Sequence, residues 1–364
     1  MYEWEKLIEK GYRDIGEVKE KLNLTADEVK RIQKIEESYP MFVNPYYFSL
    51  IRSEDPRDPI RKLCIPSVEE ARRCGSFDTS GEASNTVIAG LQHKYRETAL
   101  ILSTNQCAMY CRHCFRKRLV GLSEEEISKE LESIFTYIRE HTELSNVLIS
   151  GGDAFMNSNQ TIRTYLEGLS GIGHLDLIRF GTRTPVVLPQ RITTDTELKS
   201  ILKEYSGKKR IYVVTQFNHP REVTREAVNA VEQLLEIGIP VKNQTVLLRG
   251  INDDPEVLGT LLKQLTRAGV IPYYIFQCRP VTGVMSHFQV PLREGYHVVE
   301  TAKQMQNGQG KCFRYALSHP TGKIEILGPL NKENMIFKYH QAKDVKDQGR
   351  IFCLPVSEEQ CWLN

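Results

Sequence analysis

The chain has no long apolar run, no excess of charge of one sign and no regular ladder of cysteines. No stretch approaches the roughly 18–20 apolar residues that a membrane-spanning helix needs. No basic-plus-apolar leader opens it, since MYEWEKLIEKGYRD is amphipathic and charged, and the expectation is a cytoplasmic protein. Lys and Arg total 48 against 46 Asp and Glu, a formal +2. No global field therefore recruits nucleic acid or an acidic membrane. Repeats and low-complexity tracts are also missing. At 364 residues the chain is one large domain or two ordinary ones, and α/β barrels often exceed the usual domain size.

The nine cysteines are an odd number, at 64, 74, 107, 111, 114, 278, 312, 353 and 361. Their spacing suits no small disulfide-bonded domain, and favours reduced thiols with one metal-binding subset. Three of them crowd into CAMYCRHCFRKR: Cys107, Cys111 and Cys114, at C-x3-C-x2-C, just after the apolar run ALILST. A structural zinc usually takes four protein ligands and a disulfide takes two thiols. Three suit an object that needs one position left open.

Residues 1–50 read as helical, with Thr25 and Glu28 forming a capping box before a helix-spaced apolar pattern. Residues 51–93 are polar and turn-rich. Then short β-branched runs begin: ALILST (99–104), NVLIS (146–150), DLIRFG (176–181), RIYVVT (210–215), PVKNQTVLL (240–248) and PYYIFQC (272–278). Helix-length amphipathic stretches such as SEEEISKELESIFTYIREH and TREAVNAVEQLLEIG separate them. Six strand–helix alternations predict an α/β fold with a parallel sheet, a partial (β/α)6 barrel. The expected layout is a helical extension and connecting segment over 1–93, the barrel over 94–330 and a tail over 331–364. A last pair, FRYALS and KIEILG around HPTG, predicts a closing hairpin. Polar residues gather just after the runs, where a barrel places its ligands.

A [4Fe–4S] cluster held by three cysteines keeps one iron free for a small molecule. A zinc site completed by a distant cysteine and three unrelated buried thiols are the other readings of the residues alone. The basic neighbours Arg112, His113, Arg116, Lys117 and Arg118 would lower thiol pKa values, or form a solvated turn.

CxxxCxxC after a first strand resembles the radical S-adenosylmethionine (SAM) superfamily, and SGGDAF (150–155) resembles its glycine-rich SAM motif. There Gly151 and Gly152 would let backbone groups approach the ligand's amino group, and Asp153 would add charge. NPYYFSLI, DPRDPIRKLCIPS, GTRTPVVLPQRIT, TQFNHPREVT, NQTVLLRGIND and PYYIFQC further resemble the lysine 2,3-aminomutase family, from about residue 44 to about 330. The resemblance implies a [4Fe–4S] cluster on Cys107, Cys111 and Cys114, SAM, and pyridoxal phosphate (PLP). It implies a radical reaction that moves an amino group from Cα to Cβ, with an electron donor such as flavodoxin or ferredoxin and the option of a homo-oligomer. By position, Lys323 in SHPTGKIEIL would hold PLP, Gln244 would contact SAM, and Arg116 would grip the substrate carboxylate. Arg179 and Arg183 would hold phosphate or the SAM carboxylate.

The sequence also departs from that family. Where the lysine enzyme has an aspartate after PYYIYQC for the substrate ammonium, this chain has Arg279. A cation there repels lysine and suits an acidic side chain, with Arg279 and Arg116 at opposite ends of the pocket. The glycine run before the PLP lysine is reduced to HPTG, and Gln216 replaces a histidine. Asp254 stands at one of the places of the zinc-binding cysteines, which are not matched, and Cys353 and Cys361 read as ordinary thiols. The expected activity is a 2,3-aminomutase acting on a non-lysine, acidic amino acid. The alternative is a PLP-independent radical SAM enzyme doing another hydrogen abstraction, such as dehydration or epimerisation.

Overall fold

The computed structural model describes residues 2–363. Its twelve strands are β1 (Thr86–Ile88), β2 (Leu91–Tyr95), β3 (Thr98–Thr104), β4 (Asn146–Gly151), β5 (Leu177–Gly181), β6 (Arg210–Thr215), β7 (Val241–Leu247), β8 (Ile271–Gln277), β9 (Arg314–His319), β10 (Gly322–Pro329), β11 (Asn334–Ala342) and β12 (Ile351–Pro355). They form one sheet in chain order. From β3 to β9 every neighbour is parallel, and parallel neighbours need crossovers. Six helices supply them: Leu131–Glu140, Asn159–Ser170, Thr196–Ser206, Arg225–Glu236, Pro255–Arg267 and Leu292–Gln304.

The period-2 side-chain pattern of the strands decides what faces where. On β4, Val147 and Ile149 are fully buried, while Asn146, Leu148 and Ser150 line a cavity on the other face. On β5, Ile178 and Phe180 are buried and Arg179 lines the cavity. The helices add the matching apolar stripes, for example Ile162, Leu166 and Leu169, or Leu258, Leu261 and Leu265. One face of the sheet is thus a sealed core, and the other is partly polar.

The six expected parallel strands are present. The hairpin forms as well, but its first arm β9 also pairs in parallel with β8. Residues 331–364, expected as a tail, contribute β11 and β12 to the sheet. The connecting segment contributes β1 and most of β2. The stretch from Ser123 to Glu130 is not helical. There the Ser128 amide donates to Leu102 O of β3 (2.8 Å), and Glu126 accepts from Arg118 of the cysteine loop (2.7 Å). The Thr25–Glu28 capping box is formed.

The strand order starts at β1 and ends at β12, so no backbone pairing closes the sheet. Side chains bridge it instead. Lys94 of β2 donates from Nζ to His319 O of β9 (2.6 Å) and to Ser80 O (3.1 Å).

The N-terminal extension backs the cysteine loop. Val43 bridges both Tyr12 and Met109, and Arg112 N donates to Leu63 O. Behind the loop, the buried Glu70 accepts from Arg112 Nη2 (2.6 Å) and Lys117 Nζ (2.6 Å). Burial alone would raise the Glu70 pKa, but Arg112 and Lys117 override it and hold it down at about 2. A carboxyl depressed on folding contributes stability above its unfolded pKa of about 4.5, and that contribution is lost as pH falls toward 2. Glu70→Gln leaves two buried cations without a counter-charge, and a loss of about 3–5 kcal/mol is expected. Urea unfolding at several pH values checks both points: the gap between wild type and variant should be largest near neutrality and narrow below pH 4.5. A gap that is constant with pH would refute the ion-pair account.

Candidate active site

All twelve residues singled out from the sequence line one cavity of about 520 Å³: Cys107, Cys111, Cys114, Arg116, Gly151, Gly152, Asp153, Arg179, Arg183, Gln244, Arg279 and Lys323. The cavity lies on the face of the sheet opposite the sealed core, reached by strand side chains and by the loops after β3, β4, β5, β6 and β8.

Backbone-to-backbone contact fixes the cysteine loop. Gly152 N donates to Thr104 O (2.6 Å) and Asp153 N to Gln106 O (2.8 Å). A Cβ on Gly152 would stand 2.4 Å from Gln106 O, and one on Gly151 (φ +118°) would stand 2.4 Å from Thr104 O. Both glycines therefore let the GGD loop press against the segment that leads into Cys107, a use not foreseen from the sequence. Asp153 also differs from expectation. Its buried carboxylate accepts from Phe155 N (3.0 Å), Thr182 Oγ1 (2.5 Å) and Arg183 N (2.7 Å). It ties the loops after β4 and β5 together rather than standing free as a charge.

Arg183 and Arg179 fall into different roles. Arg183 donates Nη1 to Cys111 Sγ (2.9 Å), Nε to Gln216 O (2.8 Å) and Nη2 to Glu222 Oε1 (2.5 Å), so its guanidinium is committed to the loop. Arg179 donates Nη2 to Asn146 Oδ1 (2.5 Å) and leaves its buried Nε without a partner. It is the one of the two with capacity for an anion.

Four of the five basic neighbours are not on a solvated turn, and although Arg116 and Lys117 act to lower the Cys114 thiol, burial outweighs them. Arg112, His113, Arg116 and Lys117 are buried, and Arg112 and Lys117 turn to Glu70. Burial pushes the Cys107 thiol up and the Cys114 thiol to about 11. Metal binding must displace those protons.

Among the described residues no three His, Cys, Asp or Glu side chains converge tightly enough for a single metal ion. A mononuclear zinc needs its ligand atoms about 2.0–2.3 Å from one point. An iron–sulfur cubane takes cysteine thiolates on separate irons, and Cys107, Cys111 and Cys114 all line the cavity. Three thiols of one loop match three of the four thiolate positions of a cubane, whereas a structural zinc usually takes four protein ligands.

Lys323 enters from β10. Its Nζ donates to Gln341 Oε1 of β11 (2.7 Å) and lies 5.2 Å from the Tyr274 ring and 5.3 Å from that of Tyr95. Burial, then the cations Arg179, Lys94 and Arg279, pull its pKa down to about 7. A near-neutral amine among cations fits an aldehyde cofactor that carries phosphate: the amine is the nucleophile and the cations attract the anion. Lys94, lowered to about 7 chiefly by burial, was missed from the sequence. It stands at the first position of the expected barrel, ahead of the first strand run read from the sequence, ALILST.

Arg116 and Arg279 are neighbours, which corrects the expectation of opposite ends. The Arg116 guanidinium lies 4.5 Å and the Arg279 guanidinium 4.0 Å from the centre of the Phe115 ring. Glu82 Oε1 accepts from Arg116 Nε (3.0 Å) and Nη2 (2.8 Å), and its Oε2 from Arg118 (2.7 Å). Arg279 donates Nη2 to Ser318 Oγ (2.7 Å), and its Nη1 is buried without a partner. Glu82 and Phe115 were also missed. Glu82 sits in the polar stretch SGEASN, which carries no signal of burial.

The Radical SAM superfamily profile matches residues 101–261, from β3 into the helix Pro255–Arg267. A protein of Aquifex aeolicus, provisionally named an L-lysine 2,3-aminomutase, is 39% identical over 93% of this chain and 90% of its own. The L-lysine 2,3-aminomutase of Clostridium subterminale is 37% identical over 84% of this chain and 73% of its own. The glutamate 2,3-aminomutase of Clostridioides difficile is 37% identical over 88% of this chain and 74% of its own. The chain belongs to the lysine 2,3-aminomutase family of radical SAM enzymes, which are isomerases.

Gly152→Ala tests the backbone contact. The added methyl has no room against Gln106 O, so the variant is expected to lose most of the iron taken up in anaerobic reconstitution while its far-ultraviolet circular dichroism stays unchanged. Full iron content in the variant would show that the close approach is not needed.

Proposed function

We propose that the chain is a PLP-dependent radical SAM 2,3-aminomutase whose substrate carries an acidic side chain. The charge of the cavity carries this reading. Lys94, Arg116, Arg179, Arg183, Lys242, Arg279 and Lys323 line it against only two carboxylates, Glu82 and Asp153. Such a wall calls for anions: the SAM carboxylate, the PLP phosphate and a dicarboxylic amino acid. Relatives named for lysine and for glutamate are about equally similar, so identity alone does not choose the substrate. Arg279 favours glutamate-like molecules, because an ε-ammonium there would meet an uncompensated cation.

Cys107, Cys111 and Cys114 hold the [4Fe–4S] cluster in this reading, and Arg183 steadies Cys111. Gly151, Gly152, Asp153 and Gln244 shape the SAM side, and Arg179 faces the PLP phosphate. When bound, cluster and SAM supply a carbon radical able to take an unactivated hydrogen, and PLP supplies the π-system that nitrogen crosses. The chain's own contribution is to orient and enclose. Lys323 offers an amine that is largely free above pH 7, held by Gln341 and walled by Tyr95 and Tyr274. Leu100, Leu148, Val214, Val246 and Phe276 keep the rest of the wall apolar, which excludes water from a reactive radical. Arg116 and Arg279 receive the substrate's carboxylates. A PLP-independent enzyme would have no use for a lysine tuned to near neutrality. The reaction needs an external one-electron donor of flavodoxin or ferredoxin type.

Anaerobic assays of 5′-deoxyadenosine formation and amine position test the proposal. Wild type should turn over glutamate and not lysine, and Arg279→Asp should lose at least tenfold on glutamate, about the worth of one charge-assisted hydrogen bond. Turnover of lysine by wild type would overturn the acidic-substrate reading. PLP attachment is tested separately by its visible absorption band. Lys323→Ala should lack the band, and in wild type the rate of PLP uptake should rise with pH through about 7 as the amine loses its proton. A band that persists in Lys323→Ala would move the attachment elsewhere, with Lys94 the next candidate.

A further inference from the structure

Phe115 follows Cys114, precedes Arg116 and lines the cavity. Two guanidinium groups share its ring, Arg279 at 4.0 Å and Arg116 at 4.5 Å. Neighbouring cations repel one another, and the negative face of an aromatic ring is one of the few apolar surfaces that offsets the repulsion. The ring therefore sets where the two charges can sit.

The two arginines differ in what else holds them. Arg116 gives Nε and Nη2 to Glu82 and has only long contacts from Nη1, 3.4 Å to Ser150 Oγ and 3.4 Å to Gly151 O. Glu82 also serves Arg118, so one carboxylate is divided between two arginines. Arg279 has the Ser318 hydroxyl and an orphaned, buried Nη1. Each of the two guanidinium groups on Phe115 keeps a side free for one carboxylate, and the orphaned nitrogen marks Arg279 as the less satisfied.

We propose that Phe115 is a specificity-determining residue, a spacer against whose ring both Arg116 and Arg279 rest, so that together they take the two carboxylates of one short dicarboxylic amino acid. The inference rests on the acidic-substrate reading and adds a length requirement to it. Two holders fixed against one ring accept one separation between carboxylates. Glutamate fits, and its homologue with one more methylene, 2-aminoadipate, is rejected. A single arginine would hold either molecule and could not measure length.

Phe115→Leu keeps an apolar side chain and removes the π face. Losing the shared cation–π contacts is expected to raise KM for glutamate about tenfold, with a smaller change in kcat. The glutamate-to-aminoadipate ratio of kcat/KM should fall by a similar factor. Phe115→Tyr, which restores a ring, should return both values to within about twofold of wild type. Iron content, and 5′-deoxyadenosine released with SAM and reductant alone, report on the cluster next door. If Phe115→Leu loses iron, Phe115→Tyr and Phe115→Trp carry the test: both should keep the length preference, and its loss in both overturns the proposal. Unchanged KM and unchanged length preference in a fully loaded Phe115→Leu also overturn it. If wild type prefers glutamate to lysine but shows no preference over aminoadipate, the spacer fails and the acidic-substrate reading stands. If wild type prefers lysine, that reading fails and the spacer falls with it.

Discussion

The surplus of positive charge inside one cavity is the constraint on which the rest of the structure depends. A chain with a formal +2 overall places seven Lys and Arg side chains on a single wall against two carboxylates. Burying unpaired charge is costly, and proteins pay it where a ligand will complete the balance. The consequences are visible in the pKa values. Arg279 is lowered to about 10 and Lys323 to about 7, each chiefly by burial. Both Asp153 and Glu82 are already engaged by neighbouring donors, so neither is left over to neutralise Arg279 or Arg179.

Charge alone would push the wall apart, and rigid backbone contacts oppose this. The loops after β3, β4 and β5 are joined by the amides of Gly152 and Asp153 and by the carboxylate of Asp153. Behind them, Glu70 and Glu82 each bind two cations of the cysteine loop. These carboxylates come from the segment that precedes the sheet, so that segment acts as the counter-ion of the loop. The arrangement separates two jobs that basic residues around the cysteine loop can do. Arg112 and Lys117 anchor the loop from the rear, while Arg116 and Arg183 face the cavity.

Much of this was legible in the sequence, for identifiable reasons. Alternating β-branched runs marked β3 to β8 because each strand buries one face under a helix, and a period of two survives in the residue order. The three cysteines and GGD were legible because their spacing is local. What the sequence hid was long-range pairing. Nothing in SGEASN marks Glu82 as buried, since its burial depends on Arg116 and Arg118 more than thirty residues away. The residues after 331 read as a tail because NMIFKYHQA and IFCLP are isolated apolar runs, and only the sheet edge at β10 gives them a partner. The contact that Arg116 and Arg279 share with one ring was misjudged for a similar reason. Linear mapping gave each its strand end, but not the ring of Phe115 that both of them touch.

The shortened turn before Lys323 shows how side chains can take over a backbone task. A glycine-rich run offers an anion its backbone amides, whereas here His319 pairs directly with Gly322 across Pro320 and Thr321. That leaves no loop to wrap a phosphate. Gly322 is still required, because a Cβ there would stand 2.2 Å from Gln341 O. The same tight turn sets Lys323 on a paired strand, where Gln341 of β11 fixes its amine. Lys94 then ties the turn to β2 through His319 O, and this closes by side chain a sheet that its backbone leaves open. Arg179 on β5 and Lys94 on β2 line the same cavity as Lys323, and in the proposed PLP reading they are the cations left to meet the phosphate. A lysine held this way would lose little freedom on forming the covalent bond that the proposed function asks of it. The paired strand thus gives Lys323 a fixed position, and the pKa of its amine is lowered chiefly by burial, with the neighbouring cations adding to the effect.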